Sequence, residues 1–187
     1  MKIGSLFSGI GGLELGLEAA GLGETVWQVE KNEYARRVLA KHWPGAKRFD
    51  DVRTVGAANL ERVSILAGGF PCTDTSVSGQ VVRNQAGLAG EHSGLWREML
   101  RVCSELLPQF IIVENPTGLL TNANGIGTVL GGLASIREPG VCRVVTGVPH
   151  RVDRVRCLGN AVTPAVGYQV GLALKKMIQE TASPAAA

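Results

Sequence analysis

Cys72 closes the run Gly68-Gly69-Phe70-Pro71-Cys72, directly after a short stretch, Ser64 to Ala67, expected to be a strand. A cysteine on a turn bent by glycine and proline at a strand end is presented to a crevice, and a thiolate there is a nucleophile. Burial as a small hydrophobe suits Cys103 better, because it shares a helical face with Met99 and Leu106. Glu114-Asn115 follows the continuous apolar run Phe110 to Val113, which brings the carboxylate to the same crevice; the alternative is a structural glutamate satisfied locally. Phe7-Ser8-Gly9-Ile10-Gly11-Gly12 ends one strand and opens a helix, where backbone amides receive polar ligand groups. Glu30 ends the next strand, a position from which a carboxylate grips a ribose diol, and Asp51 after the third can accept from an adenine amino group. The loop and these two carboxylates alone fit a nicotinamide-binding Rossmann protein nearly as well. Cys72 breaks the tie, since a thiol, a carboxylate and a nucleotide-type cofactor in one cleft make a covalent-catalysis site.

These residues share a cleft only if the strands that carry them run the same way. Lys2 to Phe7, Thr25 to Val29, Arg48 to Val52, Ser64 to Ala67 and Phe110 to Val113 read as short strands, most of them wholly apolar. Between them lie helical spacings. The first helix has Leu13, Leu17 and Ala20 on one face and Glu14 and Glu18 on another; the second, Asn32 to Trp43, has Tyr34, Val38 and Leu39 apolar and is closed by Pro44. Leu95 to Leu107 repeats Leu95, Met99, Val102 and Leu106 before Pro108. Thr163-Pro164 opens a last helix, with Val166, Val170, Leu174 and Met177 facing the sheet. Strands alternating with helices, the strands apolar on both faces, predict an α/β fold with a doubly wound, mostly parallel sheet. Ligands bind at the carboxyl ends of such strands, where Phe7, Glu30, Asp51, Gly68 to Cys72 and Glu114 all fall.

Composition bounds the reading. The chain has 187 residues, enough to bury a core without disulfides or a structural metal, and its 45% hydrophobic and 19% charged residues are ordinary for a globule. No apolar run spans a bilayer and no signal peptide opens the chain, so no membrane is expected and the expected compartment is the cytoplasm. Cys72, Cys103, Cys142 and Cys157 form no C-x-x-C pair, so neither a zinc site nor a disulfide framework is indicated. The net charge of +3 is mild. Its placement is uneven: Arg137, Arg143, Arg151, Arg154 and Arg156 face only Glu138 and Asp153 between 137 and 160.

Four blocks together point to a family. Phe7 to Gly12, Gly68 to Cys72, Glu114-Asn115 and Gly159-Asn160-Ala161-Val162 resemble, in order, the FxGxGG, GGFPCQ, ENV and GNxV blocks of cytosine-5 DNA methyltransferases, most closely phage or prophage ones. The resemblance implies a Rossmann-like S-adenosylmethionine-dependent methyltransferase fold. It implies that Cys72 and Glu114 are catalytic, Cys72 adding to carbon 6 of a flipped-out cytosine in DNA. It further implies a cofactor pocket for S-adenosylmethionine built from Phe7, Ser8, Gly9, Ile10, Gly11, Gly12, Glu30, Asp51, Pro71, Leu95, Asn160 and Ala161.

The chain also departs from the pattern. After Ile136 the family continues into an arginine-rich block and a target recognition domain, whereas here Arg137-Glu138-Pro139-Gly140 leads straight to the last blocks, as after an internal deletion. The expected organisation is therefore a catalytic and cofactor-binding domain over 1–136, a short basic connector over 137–158, a carboxyl-terminal helix over 159–180 and a disordered tail over 181–187. Arg151, Arg154 and Arg156 are the expected DNA-phosphate contacts, with recognition supplied by a second chain as one possibility. Thr73-Asp74-Thr75-Ser76 follows Cys72 where Gln and Phe are usual, and Pro116 replaces a valine. Two readings stay beside active DNA methylation: a catalytically impaired cofactor- and DNA-binding remnant, and methylation of RNA cytosine.

Overall fold

A computed structural model of the chain describes residues 1–71, 94–115, 125–136, 142–147 and 162–182. Within them six strands, β1 (Lys2–Leu6), β2 (Glu24–Val29), β3 (Lys47–Phe49), β4 (Ile65–Gly68), β5 (Phe110–Asn115) and β6 (Cys142–Gly147), form one sheet in the order β3-β2-β1-β4-β5-β6. Every adjacent pair is parallel. The helices are α1 (Gly12–Ala19), α2 (Glu33–His42), α3 (Leu95–Leu106), α4 (Gly125–Ser135) and α5 (Pro164–Ala182). The order reverses between β1 and β4, the switch point at which a doubly wound sheet opens a crevice.

Period-two alternation sorts the strand side chains between two cores. Ile3, Ile65, Ala67, Phe110 and Ile112 meet Leu13 and Leu17 of α1 and Val170 and Leu174 of α5. Leu6, Trp27, Val29, Leu66, Ile111 and Val113 meet Trp96, Met99 and Val102 of α3 and Val129 and Leu133 of α4. Both faces are covered, which is why these strands read as apolar runs rather than alternating ones.

On the first face the helices approach the backbone closely. A Cβ on Gly16 would stand 2.5 Å from Gly167 Cα, and one on Gly167 would stand 2.7 Å from the Leu13 carbonyl oxygen. A Cβ on Gly12 would collide with the Val162 carbonyl. On the other face side chains fill the space. The Trp27 ring lies where a Cβ on Gly4 would be, its indole N–H donates to the Glu61 carbonyl at 2.9 Å, and Phe70 stacks tilted on Trp96 with centroids 5.3 Å apart.

Several expectations need correction. Glu14, expected beside Glu18 on a polar face of α1, is 0% exposed. The reason is that its side chain lies beside the Ser5 and Ser8 hydroxyls, on β1 and in the loop after it. Tyr34, expected on the apolar face of α2, is 68% exposed, and Ala35 and Leu39 are the residues that α2 buries. β3 is shorter than expected and ends at Phe49. Residues 142–147, within the stretch read as a connector, form β6 and extend the sheet beyond β5. Helix α4 had no counterpart in the sequence reading, and α5 continues through Ala182. Among the described residues no helix is long and apolar enough to cross a membrane.

Candidate active site

Parallel register lines the strand ends up. Leu6 pairs with Val29 on one side and Gly68 on the other, Val29 pairs with Phe49, and Gly68 pairs with Val113. The next residues, Phe7, Glu30, Asp50-Asp51, Gly69 and Glu114, therefore lie along one edge of the sheet, as the strand-end reading requires.

The loop after β1 is held in an unusual conformation. Phe7 has φ 56°, Gly9 φ 56° and Gly11 φ 89°. Left-handed backbone suits the glycines but strains the phenylalanine, and such strain persists only where surroundings enforce it. They do so here: the Ser8 N–H donates to the Val29 carbonyl at 3.1 Å, the Gly11 N–H to the Ser8 carbonyl at 3.0 Å, and the Gly9 N–H to Glu30 Oε2 at 2.8 Å. The Ser8 hydroxyl lies 3.0 Å from Ser5 Oγ. Gly11 faces Trp43 and Leu39, which leave no room for a Cβ, whereas Gly9 borders open space and Ile10 is partly exposed.

Glu30 is anchored at both oxygens, since Oε1 accepts from the Asn32 N–H at 2.7 Å while Oε2 holds Gly9. A carboxylate has about four acceptor sites, so roughly two remain, the number a ribose diol needs. Asp51 differs. Its Oδ1 accepts from the Arg53 N–H at 3.0 Å and from Nε at 2.9 Å, and its Oδ2 from Nε at 3.1 Å and Nη2 at 2.6 Å. The Arg53 guanidinium holds the Asp51 carboxyl down at about 2, so it is an ionised acceptor throughout the working range. An adenine amino group arriving there must displace one of those bonds, a competitor that the sequence reading missed although Arg53 lies only two residues on.

Phe7, Phe49 and Leu95 pack half-buried against the core cluster under α3 and give the edge an apolar lip. Leu95 opens α3, and Pro71 is half-buried at the end of the described run after β4. Glu114 Oε2 lies 2.8 Å from where a Cβ on Gly69 would stand. A larger residue at 69 would have to shift this carboxylate. Cys72, Asn160, Ala161, Arg151, Arg154 and Arg156 lie outside the described residues. Cys103 is fully buried, and burial pushes its thiol up to about 12, far from a nucleophile's range.

A switch-point crevice, a glycine loop entering a helix and a carboxylate held at both oxygens after β2 place the chain among the doubly wound α/β proteins. The model of the C-5 cytosine-specific DNA methylase family matches residues 1–138. The chain belongs to that family. The type II methyltransferase M.Bsp6I of Bacillus sp. (strain RFL6) is 36% identical over 126 residues, covering 67% of this chain and 39% of the relative. M2.BsuMI of Bacillus subtilis (strain 168) is 36% identical over 170 residues, covering 86% of this chain and 42% of the relative. The chain thus spans about two fifths of the length of these curated relatives. In fold it is similar to a solved Spodoptera frugiperda DNMT2 mutant, with TM-score 0.57 and 22% identity over 72% of this chain and 41% of that one.

Proposed function

We infer that the chain transfers a methyl group from S-adenosylmethionine to carbon 5 of cytosine in DNA through a covalent bond to Cys72. The observation that carries this is the Glu114 carboxylate packed against Gly69, three residues before Cys72, at the edge where Glu30 presents spare acceptor sites. Membership of the C-5 cytosine-specific DNA methylase family supports the substrate class. The residues fit the cofactor in part: Glu30 suits the ribose, Gly9 to Gly12 the polar tail and Phe7 a ring face, while Asp51 reaches adenine only by sharing its lone pairs with Arg53. Pro71, Leu95, Asn160 and Ala161 complete the proposed pocket.

Bound S-adenosylmethionine supplies an activated methyl group. The cytosine must leave the duplex, because a stacked base offers neither face to a nucleophile. The Cys72 thiolate gives an electron pair to carbon 6, and the Glu114 carboxyl donates a hydrogen bond to ring nitrogen 3, where charge gathers. Carbon 5 then carries the electron pair and accepts the methyl group. Loss of its proton to a base, with departure of Cys72 as thiolate, restores the aromatic ring. Arg151, Arg154 and Arg156 serve as phosphate contacts, so binding should weaken steeply with salt.

Labelled methyl transfer to mixed-sequence DNA and to tRNA, with Cys72→Ala as control, tests the reading. DNA should be labelled by the wild type and not by the variant. Label on tRNA alone would move the substrate to RNA. No transfer by a protein that binds S-adenosylhomocysteine would make it a cofactor-binding remnant, or one that needs a second chain for recognition.

A further inference from the structure

We propose that Arg101 is a positioning residue of the cofactor pocket, setting the adenine end by clamping the turn that carries Asp51; this rests on the cofactor reading above. The turn is a single 3-10 turn, Val52–Thr54, with Asp51 as its cap. Its backbone bonds are long, with the Thr54 hydroxyl adding one to the Asp51 carbonyl at 2.8 Å. The Thr54 N–H reaches the Asp51 carbonyl at 3.1 Å and the Val55 N–H reaches that of Val52 only at 3.5 Å. Arg101, on α3, supplies what the turn lacks: Nη2 donates to the carbonyls of both Val52 and Val55 at 3.0 Å, bracketing it.

The guanidinium is itself fixed from two sides. Nε donates to Glu98 Oε2 at 2.9 Å and Nη1 to Glu105 Oε1 at 2.8 Å, so the fork has one orientation. Glu105 also accepts from the Ala57 N–H at 2.9 Å, tying the far end of the segment to the same helix. Gly56 between them is pressed against this cluster, since a Cβ there would stand 3.2 Å from Arg101 Nη1 and collide with a Glu105 oxygen. Val52 and Val55 are buried against α3, so their carbonyls have little access to water as a substitute partner. Because Asp51 caps the turn through the Arg53 N–H, the direction of its carboxylate follows the turn, and the turn follows Arg101. A lysine carries the charge but not the fork, and cannot hold two carbonyls and two carboxylates at once.

Calorimetry on the full chain, well below its melting temperature, should compare S-adenosylhomocysteine with its inosine analogue, whose ring presents an oxygen where adenine has the amino group. The wild type should prefer the adenine ligand. Arg101→Lys should weaken that ligand about tenfold, the order expected for a charged-group hydrogen bond, and the analogue much less, so that the preference collapses. Should Arg101→Lys fail to fold, Glu98→Ala, which frees the guanidinium from one side, is read in the same way. A lower melting temperature with both affinities unchanged would make Arg101 a structural staple only and overturn the proposal. A wild type that binds neither ligand would fail earlier, at the cofactor reading, and take the proposal with it.

Discussion

Under α3 and α4 the sheet is covered by volume: the Trp27 ring fills the space above Gly4, Phe70 leans on Trp96, and Arg101 satisfies the carbonyls at the boundary. Under α1 and α5 volume has been removed instead. Gly12, Gly16, Gly167 and Gly171 let two helices meet backbone to backbone, and the space left beside β1 and β2 holds polar groups. Gln28 and Thr25 are buried there with side-chain atoms that find no hydrogen-bond partner, and Glu14 has only the Ser5 and Ser8 hydroxyls beside it. One face resists the loss of atoms and the other resists their gain. The face that tolerates unsatisfied polar groups is the one directly behind the Phe7 to Gly12 loop, since Ser5 and Ser8 link the two.

The largest effect should come from emptying the filled face. Trp27→Ala removes a fully buried ring and the bond to the Glu61 carbonyl, and should cost about 3–5 kcal/mol in urea unfolding. A cost below about 1 kcal/mol would mean that this face can collapse, and the contrast would fail. The reverse change, adding one carbon to the cleared face, should come next. Gly16→Ala gains about 1 kcal/mol of helix propensity, but its methyl meets Gly167 backbone at 2.5 Å. Backbone cannot rotate away, so a net loss of about 1–3 kcal/mol is expected from overpacking. A more stable Gly16→Ala protein would show that α5 slides freely on α1.

The smallest effect sharpens the comparison. Desolvation raises the Glu14 pKa, with the Ser5 and Ser8 hydroxyls lowering it and Glu18 adding to the rise. The native state therefore keeps a proton that the unfolded chain releases, so stability is highest below the ordinary carboxyl pKa and falls as pH rises above it. Glu14→Gln should match the wild type near pH 4 and exceed it near pH 8 in melting experiments. Identical pH profiles would place a hidden cation or ordered water beside Glu14.

Much of this organisation was legible in the chain. Apolar runs such as Phe110 to Val113 marked the strands, and the glycines that follow Phe7 and Ala67 marked two of the ends along the sheet edge. Three things were not. Helix α4 contains Gly125, Gly127, Gly131 and Gly132, which argue against helix by propensity, and burial of Val129 and Leu133 in the core under α3 favours it. Strand β6 exists through its pairing with β5, a contact no local pattern announces. Glu14 looked like surface because periodicity distinguishes faces but cannot tell that the polar one meets the Ser5 and Ser8 hydroxyls. At the site, Glu30 and Asp51 were equivalent carboxylates in sequence; their hydrogen bonds make one half-open and the other occupied.

The meeting of α1 with α5 also governs how the chain can assemble. Lys175 donates to the Ala20 carbonyl across 155 residues of sequence, and Gly12 and Gly16 contact 162–168 over similar separations. As the polypeptide leaves the ribosome, β1, β2 and β4 can pair while one side of α1 still has nothing to lie against. The closing contact joins segments 155 residues apart in sequence, which raises contact order and slows folding. Until then α1, which begins where the Phe7 to Gly12 loop ends, has one side open to water.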